Sequence, residues 1–482
     1  MPSRATTAFL VLLLTVTAPV MRLEAQTAQS LAQVKKLYVE AFDGGKPALQ
    51  LRQALIKRLR KSKYQIVENA SEADAILKGT GQIWVKGYLT TNWRSPSTNR
   101  QAVYGGYLSA EVVGKDRETL WSYLVTPGKL IWSGIIDDLA GNMAKEMIAA
   151  SSEQSSPSAV HKDSLAQTNL SGAGATFPAP LYRKWLQSFQ QQYPEVHITY
   201  NPIGSEKGVH QLAEHELDFA GSDVSSPDLG DPHMHRNFRR FASVLGAVVP
   251  IYNVSDLSED LRFTPDILAG IYLGKIRKWN DPEIRKVNKG ADLPDAEIVV
   301  VHRADGSGTT YAWSDFLAKV SPEWKSAVGA GTHLAWPVGI GAEGNEGVAE
   351  KVQQTPNSIG YVELVYAIQH QLNYGLVRNS AGEYIRAGLD TLSEAARTSA
   401  ASDSTGMPAS ITNAPGKGAY PIATFTWLVL PDEIADNAKK AALIELLKWV
   451  LSDGQKQCSA LGYAPLPREV AERELELVNA IQ

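Results

Sequence analysis

Cysteine is nearly absent from this chain of 482 residues, in which Cys458 is the only one. A single cysteine cannot form an internal disulfide, so packing and hydrogen bonds must hold the folded domains together. Cys458 follows a helical pattern in the segment QKQCSALGY. We interpret it as a small buried apolar residue rather than a nucleophile.

A strong charge of one sign and long apolar runs are also missing. The formal net charge is only -4, which gives no reason to expect a nucleic-acid partner. Beyond the amino terminus, no segment approaches the length of about 18 apolar residues that a spanning helix needs. We therefore expect the mature protein to be soluble.

The amino terminus has the pattern of an export signal. Arg4 precedes the apolar run FLVLLLTV, and Leu23, Glu24 and Ala25 resemble a cleavage site. We expect residues 1–25 to be a signal peptide that is cleaved near Ala25, which makes the mature protein periplasmic. An uncleaved interfacial segment is the alternative. The lack of a cysteine near this site argues against a lipid anchor.

Motifs of hydrolytic enzymes are missing as well. The sequence contains no His-Glu-x-x-His, no Gly-x-Ser-x-Gly and no nucleotide P-loop. His233 and His235, in DPHMHRN, could ligate a metal, but two histidines in a polar loop usually do not. The sequence therefore predicts neither an enzyme nor a metal site, and it indicates no cofactor.

The first part of the chain predicts a small, separate α/β domain over residues 30–150. Strand-like runs alternate there with helical patterns, and Leu51, Leu55 and Leu59 share one helix face. The turn residues Gly114–Asp116 predict a hairpin. The opposite helix face is basic, which we interpret as a solvated face; an anionic partner surface is the alternative. No motif indicates a function for this domain.

The polar residues 151–168 predict a flexible linker to a larger unit, 168–482. In this unit, strands such as Val196–Tyr200 and Gly246–Tyr252 alternate with helical patterns. Such alternation predicts sheets covered by helices, with ligands beyond the carboxyl ends of the strands. A second polar stretch, Ser393–Gly418, predicts a surface loop.

Three segments of the larger unit share one design, a strand followed by a Gly/Ser/Thr-rich turn and a helix. Such turns offer an anion free N–H groups, a hydroxyl and the positive end of a helix dipole. The third also carries a guanidinium, which suits a tetrahedral oxyanion. The segments are GAGATFPAPLY with Gly172, Gly174, Thr176 and Phe177, YNPIGSEKGV with Ser205 at the cap of the next helix, and RADGSGT from Arg303 to Thr309.

Two aspartates near these turns bear on which oxyanion binds. Asp223 lies at another strand end, in DFAGSDVSS, and Asp305 lies two residues after Arg303. A buried carboxylate repels sulfate, whereas it can accept a proton from phosphate. The other carboxylate can orient the guanidinium. A helix cap for Asp223 and an ordinary turn position for Asp305 are the alternatives.

These motifs resemble the ligand motifs of the periplasmic phosphate-binding proteins that serve phosphate ABC transporters. The resemblance includes GAGATFPAP, the Gly-Ser of IGSEKG, the Ser-Asp of DFAGSD, and RADGSGT. It continues through GKIRKWNDPEI, NSIGYVELVYA, ATFTWLVL and GYAPLP. It covers the chain from about Leu170 to the carboxy terminus, in order and without large gaps.

The resemblance implies that nine residues bind phosphate. Most of them would donate hydrogen bonds from the backbone or a side chain. Asp223 would accept the phosphate proton, and Asp305 would orient the guanidinium. The nine residues are Thr176, Phe177, Ser205, Asp223, Arg303, Asp305, Ser307, Gly308 and Thr309.

The resemblance also implies a fold and partners. The fold is a two-lobed α/β periplasmic binding protein, type II-like, with mixed sheets and a hinge. Lobe one would comprise about 168–245 and 419–482, and lobe two about 246–418, and the lobes would close on the anion. The implied partners are inorganic phosphate and the membrane permease of the importer, and we expect a monomer. A phosphate sensor or an envelope scaffold is the alternative, and a phosphate-ester hydrolase a weaker one.

One segment departs from the family pattern. Where the family commonly has GSSGG, this chain has Gly204-Ser205-Glu206-Lys207-Gly208. A carboxylate turned toward the anion would repel it. We therefore expect the Glu206 side chain to point to solvent or to pair with Lys207.

Overall fold

The computed structural model describes residues 30–90, 100–127, 132–152, 165–224, 238–255, 257, 260–402 and 410–481. The predicted signal peptide, the pair His233 and His235, and most of the predicted linker lie outside these residues. Within the described ranges, no helix is long and apolar enough to cross a membrane.

The amino-terminal domain is a five-stranded sheet packed against two helices. Leu51, Leu55 and Leu59 are fully buried, as their spacing predicted. The predicted hairpin at Gly114–Asp116 is confirmed, because the strands on either side pair antiparallel. The strands are β1 (Lys36–Val39), β2 (Gln65–Val67), β3 (Ala75–Thr90), β4 (Arg100–Gly114) and β5 (Thr119–Val125), in the order β2-β1-β3-β4-β5, and the helices are α1 (Gly45–Leu59) and α2 (Trp132–Ala150).

The carboxy-terminal part contains twelve strands and twelve α-helices among the described residues. The strands are β6 (Thr168–Gly174), β7 (Val196–Pro202), β8 (Phe219–Ser222), β9 (Phe238–Asn253), β10 (Arg262–Phe263), β11 (Val299–Arg303), β12 (Ile340–Ala342), β13 (Ser358–Glu363), β14 (Asn373–Tyr374), β15 (Leu376–Arg378), β16 (Tyr384–Ile385) and β17 (Ala423–Pro431). The helices are α3 (Ala179–Gln192), α4 (Ser205–Ala213), α5 (Pro265–Tyr272), α6 (Pro282–Val287), α7 (Gly308–Val320), α8 (Pro322–Ala327), α9 (Gly344–Gln354), α10 (Leu364–Gln369), α11 (Leu389–Ser402), α12 (Asn437–Trp449), α13 (Gln455–Cys458) and α14 (Arg468–Asn479).

Strand β9 joins the two halves of the main sheet, whose order is β12-β11-β13-β9-β17-β8-β6-β7. Residues 238–247 of β9 pair with β17, and residues 248–253 pair with β13. We call the half with β6, β7, β8 and β17, together with the helices after β17, lobe one. The half with β11, β12 and β13, together with the separate three-stranded sheet β10-β15-β16 and the segments around it, is lobe two. The predicted fold class, two α/β lobes with mixed sheets after a small α/β domain, is confirmed. The residue limits of the domains and lobes stay predictions.

The predicted surface loop Ser393–Gly418 is wrong over its first ten residues. Helix α11 extends from Leu389 to Ser402, and Leu392, Ala395 and Ala396 are buried in the core. Ala395 and Ala396 lie three and four residues after Leu392, so the three side chains share one apolar helix face. The polar composition of the segment concealed this face.

Candidate functional site

Four helices begin where the two lobes meet. They are α3 and α4 of lobe one and α7 and α9 of lobe two. A short turn connects each of them to the strand of the main sheet that precedes it. The first N–H groups of a helix have no partner inside the helix, and the helix dipole is positive there. Four such ends in one cleft therefore make it attractive to an anion.

Two glycines allow the turns to approach closely. Gly174 has φ +137, and a Cβ there would lie 2.1 Å from the carbonyl oxygen of Gly221. A Cβ at Gly308 would lie 2.5 Å from the Ser205 hydroxyl and 2.8 Å from an Asp223 carboxylate oxygen. Any larger residue at Gly308 would therefore push the turn of lobe two away from lobe one.

Arg303 supplies a buried positive charge to the cleft. Its side chain is 1% exposed, and its Nε donates to Asp305 Oδ1 at 2.7 Å while Nη2 donates to Asp305 Oδ2. Burial alone would raise the pKa of Asp305, but the Arg303 guanidinium and backbone N–H groups, including that of Gly344, together lower that pKa. Asp305 accepts along one edge of the planar guanidinium, the edge that carries Nε and Nη2. Nη1 therefore remains to face the cleft. It lies 3.4 Å from the Thr309 hydroxyl.

Asp223 supplies a buried carboxylate directly after β8. It is 1% exposed, and its Oδ1 accepts a hydrogen bond from the Thr426 hydroxyl at 2.6 Å. Burial raises the pKa of this carboxyl to about 7, although the Thr426 hydroxyl, Arg303 and Ser205 act in the opposite direction. A carboxyl that titrates near neutral pH can exchange a proton with a ligand.

Two serines place hydroxyl groups at the helix starts. The Ser205 hydroxyl accepts from the backbone N–H groups of Asp223, at 3.3 Å, and of Gly308, at 3.2 Å, so it touches both lobes. It was predicted to cap α4, which is wrong: Gly204 is the cap residue and Ser205 is the first helical residue. Ser307 caps α7 by accepting from the backbone N–H of Thr310 at 3.1 Å.

The turn before α3 is held by two tyrosines. The Tyr366 hydroxyl donates to the carbonyl oxygen of Thr176 at 2.6 Å, and the Tyr463 hydroxyl donates to that of Phe177 at 2.7 Å. In a trans peptide the N–H points away from the preceding carbonyl. The N–H of Phe177 is therefore directed away from Tyr366, and the fully buried Phe177 ring anchors the turn.

The structure thus brings the predicted site residues together from both lobes. Sequence reasoning missed Asn345 and Thr426. Asn345 donates through Nδ2 to the hydroxyls of Thr176 and Thr309, at 2.9 and 3.1 Å. A signal for it was present, because GAEGNEG is a fourth strand, Gly-rich turn and helix start. For Thr426, the signal was a polar residue within the apolar strand ATFTWLVL.

Glu206 is exposed at the rim of the cleft and has a partner in lobe two. Its Oε2 accepts a hydrogen bond of 2.7 Å from the Thr332 hydroxyl of lobe two, and its backbone N–H lies 3.4 Å from the carbonyl oxygen of Gly306. Glu206 is exposed, as predicted, but its carboxylate binds Thr332 rather than Lys207. The lack of a side chain at Gly306 leaves the space that the Glu206 carboxylate fills.

The chain is similar to several known proteins. Residues 158–454 match the PBP superfamily domain. The phosphate-binding protein PstS of Xylella fastidiosa is 41% identical over 307 residues, which cover 63% of this chain and 83% of the relative. That of Pasteurella multocida is 38% identical over 309 residues, covering 64% and 89%. The solved phosphate-binding protein from Stenotrophomonas maltophilia has 20% identity and a TM-score of 0.48, covering 64% of this chain and 93% of its own.

Proposed function

Because this chain belongs to the family of periplasmic phosphate-binding proteins of phosphate ABC transporters, we propose that it captures inorganic phosphate between its lobes. It delivers the ion chemically unchanged to an ABC-type importer. In this proposal the mature protein is an exported periplasmic monomer, and its membrane partner is the permease of the importer.

The observation that carries the proposal is the meeting of hydrogen-bond donors from both lobes around one buried carboxylate. The Ser205 hydroxyl contacts the N–H of Gly308 across the cleft, and both lie beside Asp223. Arg303 adds a guanidinium. The donors can bind the unprotonated oxygens of the anion, and the carboxylate can accept a hydrogen bond from its protonated oxygen. The proposed binding residues are Thr176, Phe177, Ser205, Asp223, Arg303, Asp305, Ser307, Gly308 and Thr309.

The carboxylate explains why phosphate is preferred over sulfate. Phosphate at neutral pH carries at least one proton, which it can donate to Asp223, whereas sulfate carries none. Sulfate would bring its negative charge against a buried negative charge without a hydrogen bond between them, which is costly at low dielectric.

The hydroxyl groups support binding rather than catalysis. The Ser205 and Ser307 oxygens accept from backbone N–H groups, and no imidazole hydrogen bond to either is found in the described part of the chain. A serine nucleophile requires a base within hydrogen-bond distance to take its proton. The geometry therefore favours capture and release.

Calorimetric titration of the mature protein tests the proposal. Phosphate is expected to bind with a dissociation constant of about 1 μM or lower, since several charge-assisted hydrogen bonds outweigh closure and desolvation. Sulfate at the same ionic strength is expected to bind at least about 100-fold more weakly. Tight sulfate binding, or no heat of phosphate binding, would contradict the proposed function.

A further inference from the structure

We propose that Asn345 fixes the direction in which two cleft hydroxyls donate, and thereby selects for bare ligand oxygens at that end of the cleft. This inference rests on the proposed phosphate-binding function. Asn345 is the second residue of α9 and is fully buried. It lies between Thr176 of lobe one and Thr309 of lobe two.

The orientation of the Asn345 amide follows from its third partner. Its Oδ1 accepts from the backbone N–H of Glu363 at 2.9 Å. A backbone N–H can only donate, so the amide oxygen must face Glu363 and the NH2 group must face the two threonines. The opposite flip would place two donors against each other in a buried site.

The two hydroxyl oxygens are therefore acceptors toward Asn345. A hydroxyl that accepts keeps its own proton for another acceptor. The Thr176 oxygen also lies 3.4 Å from the Asn345 backbone N–H, and the Thr309 oxygen lies 3.4 Å from Nη1 of Arg303. With donors already on both oxygens, each hydroxyl proton is available to an unprotonated oxyanion oxygen. The protonated oxygen of the ligand then faces Asp223.

A mutant cycle separates this role from a structural one. Asn345→Leu is expected to weaken phosphate binding by about 30-fold, because each hydroxyl then keeps only its longer contact of 3.4 Å and is directed less firmly. In the Thr176→Val/Thr309→Val background there are no hydroxyls to direct, so the same change is expected to cost less than about 3-fold. Phosphate titration of the four proteins measures the difference.

The controls make each outcome interpretable. Asn379 is a buried asparagine of lobe two that donates to the backbone carbonyls of residues 416, 417 and 419. Asn379→Leu is expected to lower thermal stability and to change phosphate affinity equally in both backgrounds. If Asn345→Leu does not fold, Asn345→Ser replaces it in the cycle. Equal losses from the Asn345 change in both backgrounds would overturn its positioning role alone. Absence of phosphate binding in the unsubstituted protein would overturn the proposed function too.

From a different observation we infer that the amino-terminal domain restrains the separation of the two lobes. Its strand β3 contacts lobe two, where Lys86 binds Asp260 and both side chains are 10% exposed. Asp260 also binds Arg386. The Ser122 hydroxyl in β5 contacts lobe one, donating to the carbonyl oxygen of Lys456 at 2.5 Å and accepting from the N–H of Ala460 at 3.2 Å.

These two sets of contacts belong to one sheet. Strand β4 lies between β3 and β5 and is hydrogen-bonded to both, and its Ser109 hydroxyl donates to the carbonyl oxygen of Ala460 at 2.7 Å. A hydrogen-bonded sheet moves as one body. The lobes cannot separate at this face unless the domain gives up its contacts with one of them. Opening the cleft therefore costs those contacts, and the closed arrangement is favoured.

Lys86→Met tests this restraint, because it removes the charge while Asp260 keeps Arg386. We expect a larger fraction of open molecules in the absence of phosphate and a phosphate dissociation rate about 5-fold higher. Opening is measured by energy transfer between dyes on cysteines introduced at the exposed positions Glu216 and Lys325. Cys458 is fully buried and burial raises its pKa, so the native thiol resists labelling.

Lys57→Met, at an exposed position of α1, is the matched control and should leave both readouts unchanged. Ser122→Ala releases the contact with lobe one instead, and we expect it to shift both readouts in the same direction as Lys86→Met. Unchanged dye distances and dissociation rates in both Lys86→Met and Ser122→Ala would overturn the restraint. The distance readout needs no phosphate, so it is independent of the proposed function.

Discussion

Arg303→Met is expected to weaken phosphate binding by about 1,000-fold, the largest effect of any single side chain in the cleft. The change removes the buried guanidinium and leaves Asp305 without the cation that offsets its charge. An unpaired carboxylate beside an anion site repels the ligand, so the loss exceeds that of the Arg303 hydrogen bonds alone. Calorimetric titration with phosphate measures it.

Two further variants sharpen this prediction. Arg303→Lys keeps the charge but not the planar fork that binds Asp305 through two nitrogens, so we expect an intermediate loss of about 30-fold. Arg397→Met removes an exposed arginine that pairs with Glu394 and should leave phosphate affinity unchanged. If Arg303→Met bound phosphate within about 10-fold of the unsubstituted protein, Arg303 would not be a phosphate ligand.

Asp223→Asn is expected to reduce the preference for phosphate over sulfate by about 100-fold. The amide removes the buried negative charge and can donate a hydrogen bond, so sulfate is no longer repelled. Phosphate affinity should fall by less than this ratio, because the amide oxygen can still accept a hydrogen bond from the protonated phosphate oxygen. Competition between the two anions, measured by titration at constant ionic strength, gives the ratio directly.

The pH dependence supplies an independent check on Asp223. Burial raises the pKa of its carboxyl to about 7, so the group is charged above that pH and neutral below it. The unsubstituted protein should therefore bind sulfate more tightly as pH falls through 7, whereas Asp223→Asn should show no such gain. Asp295→Asn, at an exposed carboxyl paired with Lys278, is the matched control. If Asp223→Asn left the ratio of phosphate to sulfate affinity unchanged, Asp223 would not be the group that distinguishes a protonated from an unprotonated anion.

The sequence was sufficient for the parts of the cleft that are local in the chain. In each of these segments a strand, a glycine-rich turn and the beginning of a helix all lie within about ten residues. Thr176, Ser205 and the segment from Arg303 to Thr309 could therefore be found from residue types alone. The pairing of Arg303 with Asp305 was also accessible, because the two residues are two positions apart.

Contacts between distant segments could not be predicted in this way. Thr426 reaches Asp223 only because β17 lies next to β8, and Glu206 reaches Thr332 only because the lobes meet at that point. The docking of Lys86 on Asp260 depends on how a whole domain is placed. Such contacts depend on how helices and strands pack together, so the spacing of residues within one segment does not predict them.

Strand β17 has a consequence for the order in which the chain can complete its fold. It is inserted between β8 and β9 in lobe one, yet it lies about 170 residues after β9 in the chain. During synthesis, the facing edges of β8 and β9 have no partner until Ala423–Pro431 has emerged. All sheet strands of lobe two precede that segment. The cleft therefore cannot be completed before β17 brings the hydroxyl of Thr426 to Asp223, and Tyr463, which holds the turn before α3, emerges later still.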